Sequence, residues 1–300
     1  MRSDTSLNLS AGVASVMVAF SLVLLKLWAF SETASLSVAA SLTDSVMDLL
    51  VSVAGLSAIF YAARPPDEDH AFGHTSVEDL AALGQALIIA GSAGVIGWAA
   101  LHRLSGASPS RLSAEVTGIW VMAVSVVLTL GLVLWQRRVA ARTRNRVVAA
   151  DSLHYIGDLL PNLGAILALW VSARFGVDRI DSLVALGAAA VMIYGAARIG
   201  SGAWNALMDR GADPKTVAAI AQIARSWPGV CGFHDLKTRT AGSRIFVHLH
   251  IELNGDLSLR DAHAIGAALK RAIIFAYPNA DVIIHKDVAA PATVLPERQE

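Results

Sequence analysis

Long apolar runs separated by short polar connectors fill the first two thirds of the chain. A helix needs about 20 apolar residues to cross a bilayer. Six runs reach that length, at roughly 8–30, 34–62, 79–102, 113–136, 147–173 and 179–204. They predict a membrane-embedded all-α bundle of six transmembrane helices over residues 1–208. An even number of crossings puts both termini on one side. The connector before the fifth run carries Arg137, Arg138, Arg142, Arg144 and Arg146. The positive-inside rule assigns that connector, the loop at Arg64 and both termini to the cytoplasm. Runs three and six are rich in glycine (Gly84, Gly91, Gly94 and Gly97; Gly187, Gly195 and Gly200), which predicts close approach of helix backbones. Pro161 is expected to loosen the fifth helix.

After Met208 the pattern changes to that of a water-facing domain. Asp213–Trp227 reads as a helix with Asp213 as N-cap and Pro214 at its first position. Val230–Arg239 and Arg244–Leu253 read as strands around an Ala241-Gly242 turn. In the second strand Ile245, Val247, Leu249 and Ile251 alternate with Phe246, His248, His250 and Glu252. An amphipathic helix over Leu257–Tyr277 and a strand over Asp281–Asp287 complete the order α-β-β-α-β. That order predicts a small α+β ferredoxin-like cytoplasmic domain over 209–288. Residues 289–300 are expected to be disordered.

Composition sharpens this picture. The chain is 55% hydrophobic and 16% charged, against roughly a quarter charged in soluble domains. Mean hydropathy is +0.54. The formal net charge of zero gives no nucleic-acid surface. A single cysteine, Cys231, excludes an internal disulfide and a cysteine-rich zinc site, so any metal must be held by histidine and carboxylate. The first apolar run is too long for a cleavable signal peptide and reads as a retained membrane helix.

The polar residues inside the apolar runs carry the chemistry, because ionisable groups at membrane depth are costly and line ion pathways. Asp151, His154 and Asp158 fall on one stripe of the fifth run, and Asp44 and Asp48 stand four apart in the second. Two helices that each offer two ligands make a four-coordinate divalent metal site from Asp44, Asp48, His154 and Asp158. Lys26, near one end of the first run, is the basic residue placed within the membrane, too few for these acids to be explained as ion pairs. Without thiolate, such a site suits Zn2+ and also admits Fe2+, Cd2+, Co2+ or Mn2+. In the loop after the second run, Asp67, His70 and His74 offer three ligands in eight residues; a solvated acidic loop at a helix start is the competing reading. The cytoplasmic domain holds five of the nine histidines: His234, His248, His250, His263 and His285. Asp287 joins His285 on one strand face. These six residues could converge on one or two metals.

Taken together, D-x-x-x-D at Asp44/Asp48, H-x-x-x-D at His154/Asp158, D-H-A-F-G-H through His74, F-H-D-L-K-T-R at His234 and V-I-I-H-K-D through Asp287 resemble the cation diffusion facilitator family over nearly the whole chain. The resemblance implies a homodimer in the bacterial inner membrane that exports divalent metal from the cytoplasm against protons. It implies a transport site at the membrane quartet, a loop site at Asp67, His70 and His74, and a binuclear site at His234, His250, His263, His285 and Asp287, where Zn2+ is also a structural or regulatory ion. Three features depart from the pattern. Ser76 stands where the family often has a lysine that pairs with the acid equivalent to Asp209. Lys286 replaces a residue able to ligate, and His248 is extra.

Metal binding needs neutral His154 and ionised carboxylates, so protons compete with metal. A cycle between inward-open and outward-open states would then exchange metal for protons, as a secondary transporter and not an enzyme. A membrane metalloenzyme would need an open coordination position and a general base, and no spare base accompanies the quartet. The alternatives are the same transporter with ferrous iron or manganese as main substrate, and a metal-sensing membrane protein without transport.

Overall fold

The computed structural model describes residues 2–33, 36–105, 116–159 and 180–289. The chain divides into two compact units, 2–207 and 208 onward. In the first unit α1 (Arg2–Thr33), α2 (Leu36–Ala62), α3 (Ser76–Leu104), α4 (Val116–Thr143) and α6 (Ile180–Leu207) are continuous helices. Each contains a stretch long and apolar enough to cross a membrane. The fifth predicted span is helical over 146–159, here called α5. Its second half, with Pro161, lies outside the described residues, as does the tail from 290.

Small side chains decide which helices meet. Ala11, Ile59, Val139, Val147 and Val148 form one cluster, and Leu132, Val133, Tyr155 and Leu159 form another. Together they bind α1, α2, α4 and α5 around one core. A third cluster, Ala86, Ile89, Ala93, Met192 and Ala196, pairs α3 with α6. The glycines follow this division only in part. A Cβ at Gly97 would meet Ala189 at 3.6 Å, one at Gly200 would meet Ala86 at 3.3 Å, and one at Gly195 would meet Leu153 at 2.7 Å. Around Gly84, Gly91, Gly94 and Gly187 nothing described lies within 4 Å. Close packing therefore explains three of these seven glycines and leaves four without a neighbour among the described residues.

The second unit runs α7 (Pro214–Arg225), β1 (Gly232–Ala241), β2 (Arg244–Leu253), α8 (Leu259–Ala276) and β3 (Ala280–Val288). Asp213 caps α7 by accepting from the Lys215 amide at 2.8 Å, and Pro214 occupies the first turn, where its missing N–H costs nothing. Gly242, at φ +54, opens the tight turn that folds β1 antiparallel to β2. The crossover through α8 then brings β3 parallel to β2. Alternation sends Val247, Leu249, Ile251 and Leu253 to one face, where they pack with Ile220, Leu269, Ile273 and Val282. The opposite face is free to carry histidine.

Candidate metal centres

In the membrane unit the acid and histidine spacings do what helical geometry dictates. Asp48 on α2 meets His154 and Asp158, one turn apart on α5, with one ligand atom of each within 4.8 Å of the others. His154 Nε2 lies 3.0 Å from Asp48 Oδ1, and the two side chains are 11% and 17% exposed. Asp44, one turn before Asp48, is exposed and stands outside this group. A cavity of about 50 Å3 opens beside the cluster, lined by Lys26, Ser45, Asp48, Thr129, Tyr155 and Asp158. Lys26 is therefore a wall of the site. It donates to Ser45 Oγ at 2.6 Å and to the Ser41 carbonyl at 3.2 Å.

Behind the cluster sits a knot of hydroxyls. Ser52 on α2 and Tyr155 on α5 are hydrogen-bonded at 2.9 Å, and Ser15 on α1 donates to Ser52 at 2.9 Å and to Tyr155 at 3.4 Å. All three residues are buried. One arginine of the connector also takes part in the packing: Arg146 at the start of α5 pairs with Asp79 of α3, whose side chain is 1% exposed. The Arg-rich connector had been read only as a charge run.

The loop between α2 and α3 brings its three predicted ligands together. Asp67 accepts from the His70 backbone at 2.7 Å, while His70 Nδ1 and His74 Nε2 lie 3.1 Å from its two oxygens. Gly73, at φ +84, allows the turn that swings His74 back toward Asp67. His74 is buried edge-on against Tyr61, and Asp67 and His70 are exposed. Desolvation opposes ionisation of Asp67, but the hydrogen bonds from His70 and the two imidazoles outweigh it and hold the carboxyl below its ordinary range.

On the outer face of the cytoplasmic sheet, register builds the third group. His234, His250 and His285 form one row across β1, β2 and β3, with ring centroids 5.2 and 4.7 Å apart. The neighbouring row carries Glu252 opposite Asp287. Asp287 lies 2.9 Å from His250 Nδ1, 3.1 Å from His285 Nε2 and 3.4 Å from His234 Nε2. A bulge between His234 and Lys237, with Asp235 at φ +50, ends the regular pairing beside the row. Glu252 is a member that sequence reasoning passed over: its Oε1 lies 3.0 Å from His234 Nδ1. Its place in the alternation, two residues after His250, was the available signal. His248 is exposed between Lys237 and Ile283, and His263 is exposed on α8; neither belongs to the group. Lys286 points the other way, since its Cε lies 2.6 Å from where a Cβ on Gly266 of α8 would stand. Asp209, whose usual family partner is replaced by Ser76, meets Arg239 Nη1 at 3.3 Å.

Comparison with known proteins agrees with this architecture. The cation efflux transmembrane domain family matches residues 12–208, and the cation efflux protein cytoplasmic domain family matches 212–288. The chain belongs to the cation efflux, or cation diffusion facilitator, family of transporters. The cation-efflux pump FieF of Pectobacterium carotovorum is 41% identical over 290 residues, covering 96% of this chain and 94% of the pump. FieF of Yersinia enterocolitica is 39% identical, covering 97% and 95%. A solved structure of CzrB in its zinc form is 33% identical with a TM-score of 0.26, covering 27% of this chain and 92% of that one. A TM-score that low carries no argument.

Proposed function

We propose that this chain exports divalent metal, zinc foremost, from the cytoplasm in exchange for protons, working as a homodimer in a bacterial inner membrane. The observation that carries the reading is the convergence of Asp48, His154 and Asp158 from two helices beside a cavity of about 50 Å3. Three donors of this type suit zinc, and Asp44, one turn before Asp48 on the same helix, is assigned as the fourth. The cavity is large enough for an arriving ion to keep one or two waters. Metal needs the bare carboxylates and an unprotonated imidazole nitrogen, whereas protons reclaim the same atoms when the site faces a more acidic side. The hydrogen bond between His154 Nε2 and Asp48 Oδ1 marks where one such proton rides when metal is absent. The loop group and the histidine row are assigned as auxiliary metal sites, with Glu252 orienting His234. His263 would reach a metal only from outside the intrachain group, as a ligand lent to a second copy.

The test is zinc flux into proteoliposomes under an imposed pH gradient. Wild-type flux should rise with the gradient, and Asp48→Ala and His154→Ala should each lower it more than about tenfold. Flux unchanged in both variants would remove the transport-site assignment, and flux indifferent to the gradient would remove the exchange.

A further inference from the structure

One turn from the transport site, toward the Arg-rich end of α5, lies a buried acid that the metal cluster does not use. Asp151 is 5% exposed and Gln136 of α4 is fully buried. Gln136 Nε2 donates to Asp151 Oδ2 at 2.6 Å. The remaining oxygens, Asp151 Oδ1 and Gln136 Oε1, have no hydrogen-bond partner among the described residues. Both residues line a cavity of about 10 Å3, walled elsewhere by Ala11, Gly12, Gly55 and aliphatic side chains. Two buried acceptors are thus set at one small space whose other walls are apolar, with the Ser15 hydroxyl, already shared with Ser52 and Tyr155, as the one further polar group acting on Asp151. Such an arrangement is costly in apolar surroundings.

We infer that Asp151 is a proton-binding site of the transport cycle, separate from the metal ligands and holding its proton when the metal site is empty. A proton on Oδ1 turns one orphan acceptor into a donor that can serve the other, directly or through the single water for which the cavity has room. The neutral acid and the amide are then complementary, whereas the ionised acid and the amide are not. A metal cation is the poorer occupant, because two oxygens against an aliphatic wall fall short of any metal's coordination number. The ionisable groups that act on Asp151 are His154 and Tyr155 on its own helix and Asp48 on α2; α1 presents Ser15 and α4 presents Gln136. No lysine or arginine is among these. A divalent ion arriving at Asp48, His154 and Asp158 places positive charge one turn away and favours release of this proton. Metal loading would then expel a proton from a residue that never touches the metal.

This inference rests on the transport site proposed above, and the test separates the two. Infrared difference spectra of the full-length protein at neutral pH, metal-free minus zinc-loaded, are expected to contain a protonated-carboxyl C=O band that zinc removes. Asp151→Asn should lack the band and still bind zinc, because the amide keeps the shape and can donate to Gln136 Oε1. Proton release on zinc binding should fall by about one per subunit in that variant. If Asp151→Asn does not fold, Gln136→Leu must shift the band in frequency. A wild-type spectrum without the band, a band that survives Asp151→Asn, or an unshifted band in Gln136→Leu overturns the inference. Loss of zinc binding at the cluster in Asp48→Ala and His154→Ala is read independently, so failure of the transport site cannot be mistaken for failure of this one.

Discussion

At Asp287 three imidazoles crowd one carboxylate. The hydrogen bond from His250 is the strongest influence, and with His285 and His234 it outweighs desolvation to hold the acid below its ordinary value of 3.8. A carboxyl depressed on folding stabilises the fold above its unfolded pKa, and the gain is lost as pH falls through the lower folded value. The metal-free protein should therefore lose stability over Asp287→Asn as pH drops below about 4, with the two converging in strong acid. Thermal unfolding between about pH 6 and pH 2 measures this; a constant difference between them would contradict it. The residues legible in the sequence were those on a single element at helical or strand spacing, such as His154 with Asp158 and His285 with Asp287. Glu252 was missed because its partnership with His234 depends on strand register, which no local spacing encodes. Asp44 and His263 show the converse: a shared motif does not by itself bring a side chain to its neighbours.

Helix α5, which carries His154 and Asp158, is held to α6 by glycines facing long side chains. A Cβ at Gly157 of α5 would come within 2.3 Å of Met192 Cε on α6, three residues beyond His154 and one before Asp158. Gly195 of α6 receives Leu153 of α5 in the same way. Gly157→Ala is expected to cost about 1–2 kcal/mol, softened by the pliable Met192, and to reduce flux by displacing Asp158. Unfolding in detergent and flux measured side by side would check both effects, and an unchanged flux with a lowered Tm would confine the glycine to packing. Helices and strands themselves were legible from periodicity: each cytoplasmic element lies within two residues of its predicted span, with both ends of β1, the α8 start and the α7 end differing by two. Which glycines meet a neighbour was not legible, because small size says a backbone can be approached and nothing about what approaches it.

Across the whole membrane unit, α3 packs chiefly on α6, and α6 in turn meets α5 at Gly157 and Gly195. The buried Asp79–Arg146 ion pair fastens α3 to α5 as well. Removing one partner of a buried pair leaves an uncompensated charge, so Asp79→Ala should destabilise by about 3 kcal/mol, the low end for such losses because Arg146 remains 31% exposed. Calorimetry of the full-length chain should place that loss in the transition of the membrane unit, and leave any zinc binding at the group of His250 and Asp287 unchanged. A stability equal to wild type would mean that Arg146 escapes to solvent when Asp79 is gone. This fastening was invisible in sequence because Arg146 reads as the last member of a cytoplasmic arginine run, and its partner lies 67 positions away.

The hydroxyl knot of Ser15, Ser52 and Tyr155 has a mechanical meaning. It ties α1, α2 and α5 together beside the Asp48, His154 and Asp158 group, which opposes any parting of α2 from α5. In the exchange proposed above, the ligand group would then move as one piece, with access changing by rocking around it. An ion held there would sit at the fulcrum, where displacement is least while the far ends of the helices swing.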